Sequence, residues 1–283
     1  MCFVHCLGML AGCALVASDP GPDAPSRSPA VVLVGDSIRT GYAALGVRVS
    51  SEGKEAIQEP QVTREATCRW ADKPPVIDGK LDDPAWANAM VIEHFPAFWK
   101  KADTGPGTRA RLVWDNTAIY FAATMTDAEL RSVGTKRNDH LWEGDVFEIF
   151  FKPSADRPAY YEFQVNPKSV ILELAWPKRG ADFNTLAAQP PMGMEAVAVV
   201  NGTLDQPGDR DRGWSVEGKI PWTAFKPTGG RPEPGASWLF ALCRYDYGPE
   251  GTEPVLMSSA PLTQPSFHRY EDYGRLTFEG PAK

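Results

Sequence analysis

The chain has 283 residues, of which 43% are hydrophobic and 23% are charged, an ordinary balance for a soluble globular protein. Its formal net charge of -7 and its lack of any Lys/Arg cluster argue against nucleic acid as a partner. The 26 prolines and 25 glycines are spread between short apolar runs. This spacing favours many strands joined by turns over a helix-rich fold.

Residues 1–17 are predicted to be a signal peptide or a lipoprotein signal. Their apolar core is shorter than the roughly 20 residues that a membrane-spanning helix needs, so export is expected without a membrane span. Leu10-Ala11-Gly12-Cys13 resembles a bacterial lipobox, which implies a possible lipid anchor at Cys13, although no Lys or Arg precedes it. The expected location is extracellular, periplasmic or lipid-anchored at the cell envelope. If the start codon is misassigned, these apolar residues are not a signal.

Residues 18–65 are expected to form a poorly ordered linker that contains one apolar run. Within it, Val31–Arg39 resembles the first block of GDSL/SGNH hydrolases, and the resemblance implies that Ser37 is a nucleophile. A serine nucleophile needs a histidine base and an acid, and Asp139-His140 does not have the spacing of that family. We interpret the run as a relic, with a truncated esterase that carries a binding module as an alternative function.

Residues 66–280 are predicted to form one all-β domain, an antiparallel β-sandwich of jelly-roll or immunoglobulin-like type with few short helical turns. In Tyr160–Asn166 every second residue is apolar, which predicts one face in the core and one polar face. Pro84–Ala89 and Pro221–Phe225 are predicted to be short helical turns. The other predicted strands are Arg109–Trp114, Ala118–Thr124, Asp145–Phe151, Val170–Trp176, Trp214–Ile220, Trp238–Tyr245 and Gly274–Phe278.

Four sequence blocks in this domain follow the order found in a known family. Val76–Trp86 opens with Ile-Asp-Gly, Leu112–Phe121 matches a first hairpin, and Trp142–Phe150 matches a characteristic strand. Gly213–Trp222 and the closing Tyr273–Phe278 complete the set. The region therefore resembles a family 9 carbohydrate-binding module, a DOMON-related β-sandwich. The resemblance implies binding of a glycan or polysaccharide without catalysis, and leaves open whether the domain acts alone or assists a carbohydrate-active enzyme.

The same resemblance implies the binding residues. Flat aromatic rings stack on the C–H faces of a sugar, while amides and carboxylates take its hydroxyls. In the family two tryptophans sandwich a terminal sugar; the first falls on Trp142 and the second falls near Phe267. Gln164 stands where the best-known members have arginine. No catalytic residue is expected. The candidate carbohydrate-binding residues are Trp142, Glu148, Gln164, Asn166, Phe267 and His268.

No cofactor and no metal ligand are assigned from the sequence, although structural calcium at acidic pairs such as Asp82-Asp83 is an alternative to solvated turns. Asp209–Asp211 leaves the same choice open. A DOMON-type haem or redox domain is a further alternative, because some DOMON-type domains hold haem between a Met and a His. The oligomeric state is left open.

Cys68 and Cys243 are the two cysteines that would remain after removal of a leader. They permit a disulfide in an oxidising compartment. Two buried cysteines that act as small hydrophobic residues are the other interpretation.

Overall fold

The structure is a computed structural model that describes residues 61–97, 107–249 and 252–282. The predicted leader, the lipobox Cys13 and the motif around Ser37 lie outside the described residues, as does most of the predicted linker. Within the described ranges, none of the helices has the length and apolar character needed to cross a membrane.

The described residues are mainly β-structure, and all eight predicted strands are confirmed to within two residues at each end. Two helices, α1 (Pro84–Ala87) and α2 (Phe183–Ala187), are a few residues long, and 3₁₀ turns occupy Leu141–Glu143, Trp222–Thr228 and Tyr270–Asp272. The strands are β1 Glu65–Trp70, β2 Thr108–Trp114, β3 Ala118–Met125, β4 Val146–Lys152, β5 Tyr160–Val165, β6 Ile171–Trp176, β7 Glu195–Asn201, β8 Gly213–Pro221, β9 Ser237–Asp246, β10 Val255–Ser258 and β11 Gly274–Phe278.

Strand β1 joins two halves of the sheet. The strand order is β6-β5-β4-β9-β11-β1-β2-β3-β8-β7, with β10 paired to β9. The first part of β1 pairs in parallel with β11 and its last two residues pair in parallel with β2. The prediction of a fully antiparallel sheet is therefore wrong at β1. Both partners, β2 and β11, are separated from β1 by long stretches of chain. No hairpin joins them to β1, so nothing imposes the antiparallel direction there.

Strands β4 and β5 bury both of their faces. One cluster lies between the two halves and includes Phe147, Phe163 and Phe121. A second covers the outer face of β4, β5, β6 and β9, where residues 260–273 pack over the sheet. The polar face predicted for Tyr160–Asn166 is therefore buried, because every residue of β5 is covered on both sides. This covered outer face is where the candidate site lies.

The Ile-Asp-Gly block has a structural role on the opposite outer face. The buried carboxylate of Glu217 accepts hydrogen bonds from the backbone nitrogens of Asp78 (2.8 Å) and Gly79 (2.7 Å) and from the indole Nε1 of Trp86 (3.2 Å). Gly79 has a φ of +89°, and a Cβ there would lie 2.6 Å from Cγ2 of Val199. The block is thus anchored to β8 by one acid.

Cys68 and Cys243 are both free and buried. They belong to different clusters, Cys68 to the one between the sheet halves and Cys243 to the one on the outer face. Burial raises the pKa of each thiol. The interpretation as two small hydrophobic residues is therefore confirmed, and the alternative disulfide is not formed.

Candidate functional site

A cavity of about 490 Å³ opens on the covered outer face of the sheet. Strands β4, β5, β6 and β9 supply its floor. The 3₁₀ turn Leu141–Glu143 and α2 form one wall, and the segment 265–268 forms the other. The lining combines aromatic rings with buried polar groups, notably Trp142, Trp176, Tyr245, Phe267, Glu148 and Glu162.

Two carboxylates and one amide form the floor. Strand register places Glu148 of β4 opposite Gln164 of β5. The amide nitrogen Nε2 of Gln164 donates to Oε1 of Glu148 (2.9 Å) and to Oε1 of Glu162 (2.6 Å). The second oxygen of Glu162 accepts from Nε1 of Trp176 (2.8 Å). The amide oxygen of Gln164 is buried and has no hydrogen-bond partner within the described residues.

Burial controls the ionisation of the two acids. It raises the pKa of Glu148, and the nearby charge of Glu162 raises it further. Burial also raises the pKa of Glu162, against the opposing effect of the hydrogen bonds from Trp176 and Gln164. Two carboxylates linked through one amide cannot both ionise freely in a low-dielectric site, so the floor binds a proton more readily than separate acids would.

Trp142 lines the cavity, is half-buried and lies beside two aromatic neighbours. His140 stacks on the indole, with centroids 4.5 Å apart and planes 24° apart. Phe183 lies 5.2 Å from Trp142 and 4.9 Å from His140, nearly perpendicular to both. The three centroids form an almost equilateral triangle, so Phe183 lies beside the stack. Neither ring therefore covers the second face of the indole.

The opposite wall is rigidly held. Phe267 is 5% exposed and packs edge-on against Tyr245, with centroids 5.3 Å apart. Its carbonyl accepts a 2.6 Å hydrogen bond from the hydroxyl of Tyr273. Nδ1 of His268 lies 2.9 Å from the hydroxyl of Tyr160. Burial, assisted by the charge of Arg179, lowers the pKa of His268 to about 4, so this imidazole is neutral near pH 7.

Five of the six residues predicted from the sequence line this one cavity: Trp142, Glu148, Gln164, Phe267 and His268. The sixth, Asn166, does not. Its side-chain oxygen accepts from the backbone nitrogens of Lys168 (3.1 Å) and Val170 (2.8 Å), and its Nδ2 donates to the carbonyl of Val133 (2.7 Å). Asn166 follows the last residue of β5, so its side chain holds the β5–β6 turn instead of facing the cavity.

Several lining residues were not predicted. Glu162 has a recognisable signal, because it alternates with Gln164 along β5 and therefore shares its face. Trp176 likewise ends a strand whose Leu172 and Leu174 face the same outer cluster. Phe183 has no such signal, because its position depends on how α2 packs against β6.

A buried acidic cluster lies away from the cavity. Asp127, Asp145 and Asp246 place carboxylate oxygens within 4.8 Å of one another. The buried guanidinium of Arg244 forms an ion pair with Asp127 (3.0 Å) and another with Asp246. An internal cation therefore already compensates this cluster, and the residues fit a salt-bridge network better than a metal site.

Two of the acids considered for calcium accept hydrogen bonds from backbone nitrogens. Asp83 accepts from the backbone nitrogen of Val76 (3.0 Å), and Asp211 accepts from those of Leu130 (2.8 Å) and Thr203 (2.7 Å). For the haem alternative, His140 and His268 line the cavity, but the described lining contains no methionine to serve as the second axial ligand.

A family model described as carbohydrate family 9 binding domain-like matches residues 77–281, most of the chain. This chain belongs to that family. The predicted family 9 resemblance is thereby confirmed. The match begins beyond Ser37 and does not bear on the hydrolase-like motif, and the predicted domain limits of 66 and 280 remain predictions.

Relatives of this family 9 domain include a curated enzyme and solved structures. Endo-1,4-beta-xylanase A of Thermotoga maritima is 28% identical over 159 residues, which are 54% of this chain and 13% of that enzyme. A putative carbohydrate-binding protein from Bacteroides uniformis has a TM-score of 0.58 at 19% identity, over 77% of this chain and all of the other.

A family 9 module from Caldicellulosiruptor kristjanssonii, solved in complex with cellotriose, has a TM-score of 0.51 at 18% identity, over 77% of this chain and 95% of that one. The structural matches show that the fold is shared. The matched segment is a small part of the curated xylanase, as it would be for a module within a larger protein.

Proposed function

We propose that this family 9 domain binds carbohydrate in the cavity lined by Trp142 and Glu148, by recognition alone and without breaking bonds. Family membership supports this function, and the solved family 9 modules in complex with cellotriose and with glucose support a glycan ligand. The observation in this chain that carries the proposal is that the half-buried indole of Trp142 lines the same cavity as Glu148 and Gln164.

The physical basis is a division of labour within the cavity. A pyranose has apolar C–H faces and hydroxyl edges, so it needs a flat ring beside polar groups. The indole of Trp142 offers the flat ring, and His140 stacks on one of its faces. Glu148 and Gln164 offer hydrogen-bonding groups at the floor. A cavity of about 490 Å³ lies within the usual range for small-ligand sites.

The test is calorimetric titration with cello-oligosaccharides, preceded by a glycan array, on the wild type and on Trp142→Ala. Loss of the stacking ring should weaken binding about tenfold or more. Trp142→Phe should show an intermediate loss, because it keeps a smaller ring. Val76→Ala, at a residue 60% exposed outside the cavity, is the matched control. Unchanged affinity in Trp142→Ala would place the ligand elsewhere.

We also propose that the protein is exported, with residues 1–17 as the leader and residues 66–280 as the binding module. The occurrence of the family in endo-1,4-beta-xylanase A supports action on extracellular glycans. Fractionation of cells that express the full chain tests this proposal, with metabolic labelling by a fatty-acid analogue to detect acylation at Cys13. Cys13→Ser should abolish the label if Cys13 is the anchor.

A further inference from the structure

The floor of the cavity contains acids without a matching cation. Glu148 and Glu162 are 2% and 4% exposed, and both line the cavity. Among the lining residues that the structure describes, none is Lys or Arg. The nearby Arg179 donates to the carbonyl of His268 (3.0 Å) and pairs with Glu271, so its charge is already engaged outside the cavity. The negative character of the floor is therefore not balanced from within.

The group formed by Glu148, Gln164 and Glu162 has acceptors to spare, and its own N–H donors are already used. Both N–H groups of the Gln164 amide lie at carboxylates, and the indole N–H of Trp176 is used by Glu162. The amide oxygen of Gln164, a residue 1% exposed, has no partner among the described residues. Oε2 of Glu148 likewise forms no hydrogen bond there, in contrast to its Oε1. A ligand group that only donates would satisfy Oε2 of Glu148, whereas the Gln164 oxygen is fully covered by the protein.

A protonated primary amine has this chemistry. It carries three N–H donors, no acceptor and a positive charge, whereas a hydroxyl carries one donor and no charge. Buried carboxylates without a counter-charge are costly, and a cation that pairs with them removes that cost. Burial and the nearby charge of Glu162 raise the pKa of Glu148, so a negative charge on this carboxylate is disfavoured unless a cation pairs with it.

We infer that the cavity selects sugars with a free amino group, whose ammonium donates to Glu148 Oε2 while the pyranose ring stacks on Trp142. This inference rests on the carbohydrate binding proposed above and names the class of sugar. Glucosamine-type units of a partly or fully deacetylated glycan are the ligands that carry such a group.

The test compares three β-1,4-linked disaccharides by calorimetry: those of glucosamine, N-acetylglucosamine and glucose. Acetylation keeps the ring but removes the charge, so the second sugar isolates the role of the ammonium. We expect the glucosamine disaccharide to bind about tenfold or more tightly than either neutral sugar, because hydrogen bonds to charged groups are the stronger class.

Two variants assign that preference to the floor. Glu148→Gln removes the charge and keeps the shape of the side chain. It should bring the ratio of the affinities for the glucosamine and glucose disaccharides close to one. Glu195→Gln removes one negative charge from β7, outside the cavity, and should leave the ratio unchanged. If Glu148→Gln does not fold, Gln164→Arg is the alternative, since a cation on the floor should reverse the preference.

The outcomes separate this inference from the proposed function. Equal or tighter binding of the glucose disaccharide overturns the amine preference and leaves carbohydrate binding intact. A preference that persists in Glu148→Gln shows that this carboxylate does not cause it, and one that Glu195→Gln reduces equally assigns it to net charge; either result overturns the inference. Failure of all three sugars to bind contradicts the proposed function itself.

Discussion

Removal of the Arg244 side chain should strongly destabilise the fold. Arg244→Met keeps the aliphatic volume of a fully buried side chain but leaves Asp127, Asp145 and Asp246 without a cation. At the 3.0 Å separation from Asp127 and an effective dielectric constant near 20, one such pair is worth about 5 kcal/mol before solvation is counted. The variant no longer has the desolvation cost of a buried guanidinium, which offsets part of this energy. We therefore expect the free energy of unfolding to fall by about 3–5 kcal/mol.

The loss should depend on pH in a defined direction. Burial raises the pKa of Asp127 and Asp246, while the charge of Arg244 opposes that rise. An acid whose pKa is raised by folding favours the folded state below its unfolded pKa, near 4, and loses this contribution as the pH rises through the raised value. Without Arg244 the ionised carboxylates repel more strongly. The destabilisation should therefore be larger at about pH 8 than at about pH 5.

Urea unfolding, followed by tryptophan fluorescence at both pH values, measures this effect. Arg275→Met, at an exposed arginine of β11, is the control and should change the free energy of unfolding by less than about 0.5 kcal/mol. Arg244→Met combined with Asp127→Asn and Asp246→Asn should recover part of the loss. A loss below about 1 kcal/mol for Arg244→Met, or one that grows towards acid pH, would refute the reasoning.

Two further predictions concern residues outside the cavity floor. Gly79→Ala should lower the free energy of unfolding by more than Gly208→Ala does, because both have a positive φ but only the first places a Cβ 2.6 Å from Val199; urea titration of both variants measures the difference. Asn166→Ala should cost about 1–3 kcal/mol in the same assay, since three backbone groups lose a partner, yet leave the affinity per folded molecule unchanged. If folded Asn166→Ala binds the ligand more weakly, Asn166 contributes to binding after all.

Much of the candidate site could be predicted because strand periodicity and motif order are local properties. The alternation along β5 places Gln164 on the face opposite Phe163, and the Trp142 block precedes β4 as in the family. The same alternation includes Glu162, which was available from the pattern but not assigned. Asn166 continues the alternation in the sequence, but it does not face the cavity. Strand β5 ends at Val165, and the side chain of Asn166 forms hydrogen bonds within the following turn.

The sequence by itself determined the β-rich fold, the strands that carry their apolar residues at period two, and the family through blocks in a fixed order. The tertiary structure decided which polar residues meet. Glu148 and Glu162 share one amide only because β4 and β5 pair in a particular register. It also decided that their face is a cavity and not a solvated surface, because residues 260–273 fold over it. Contacts between residues distant in the chain set both features, and no local pattern encodes them.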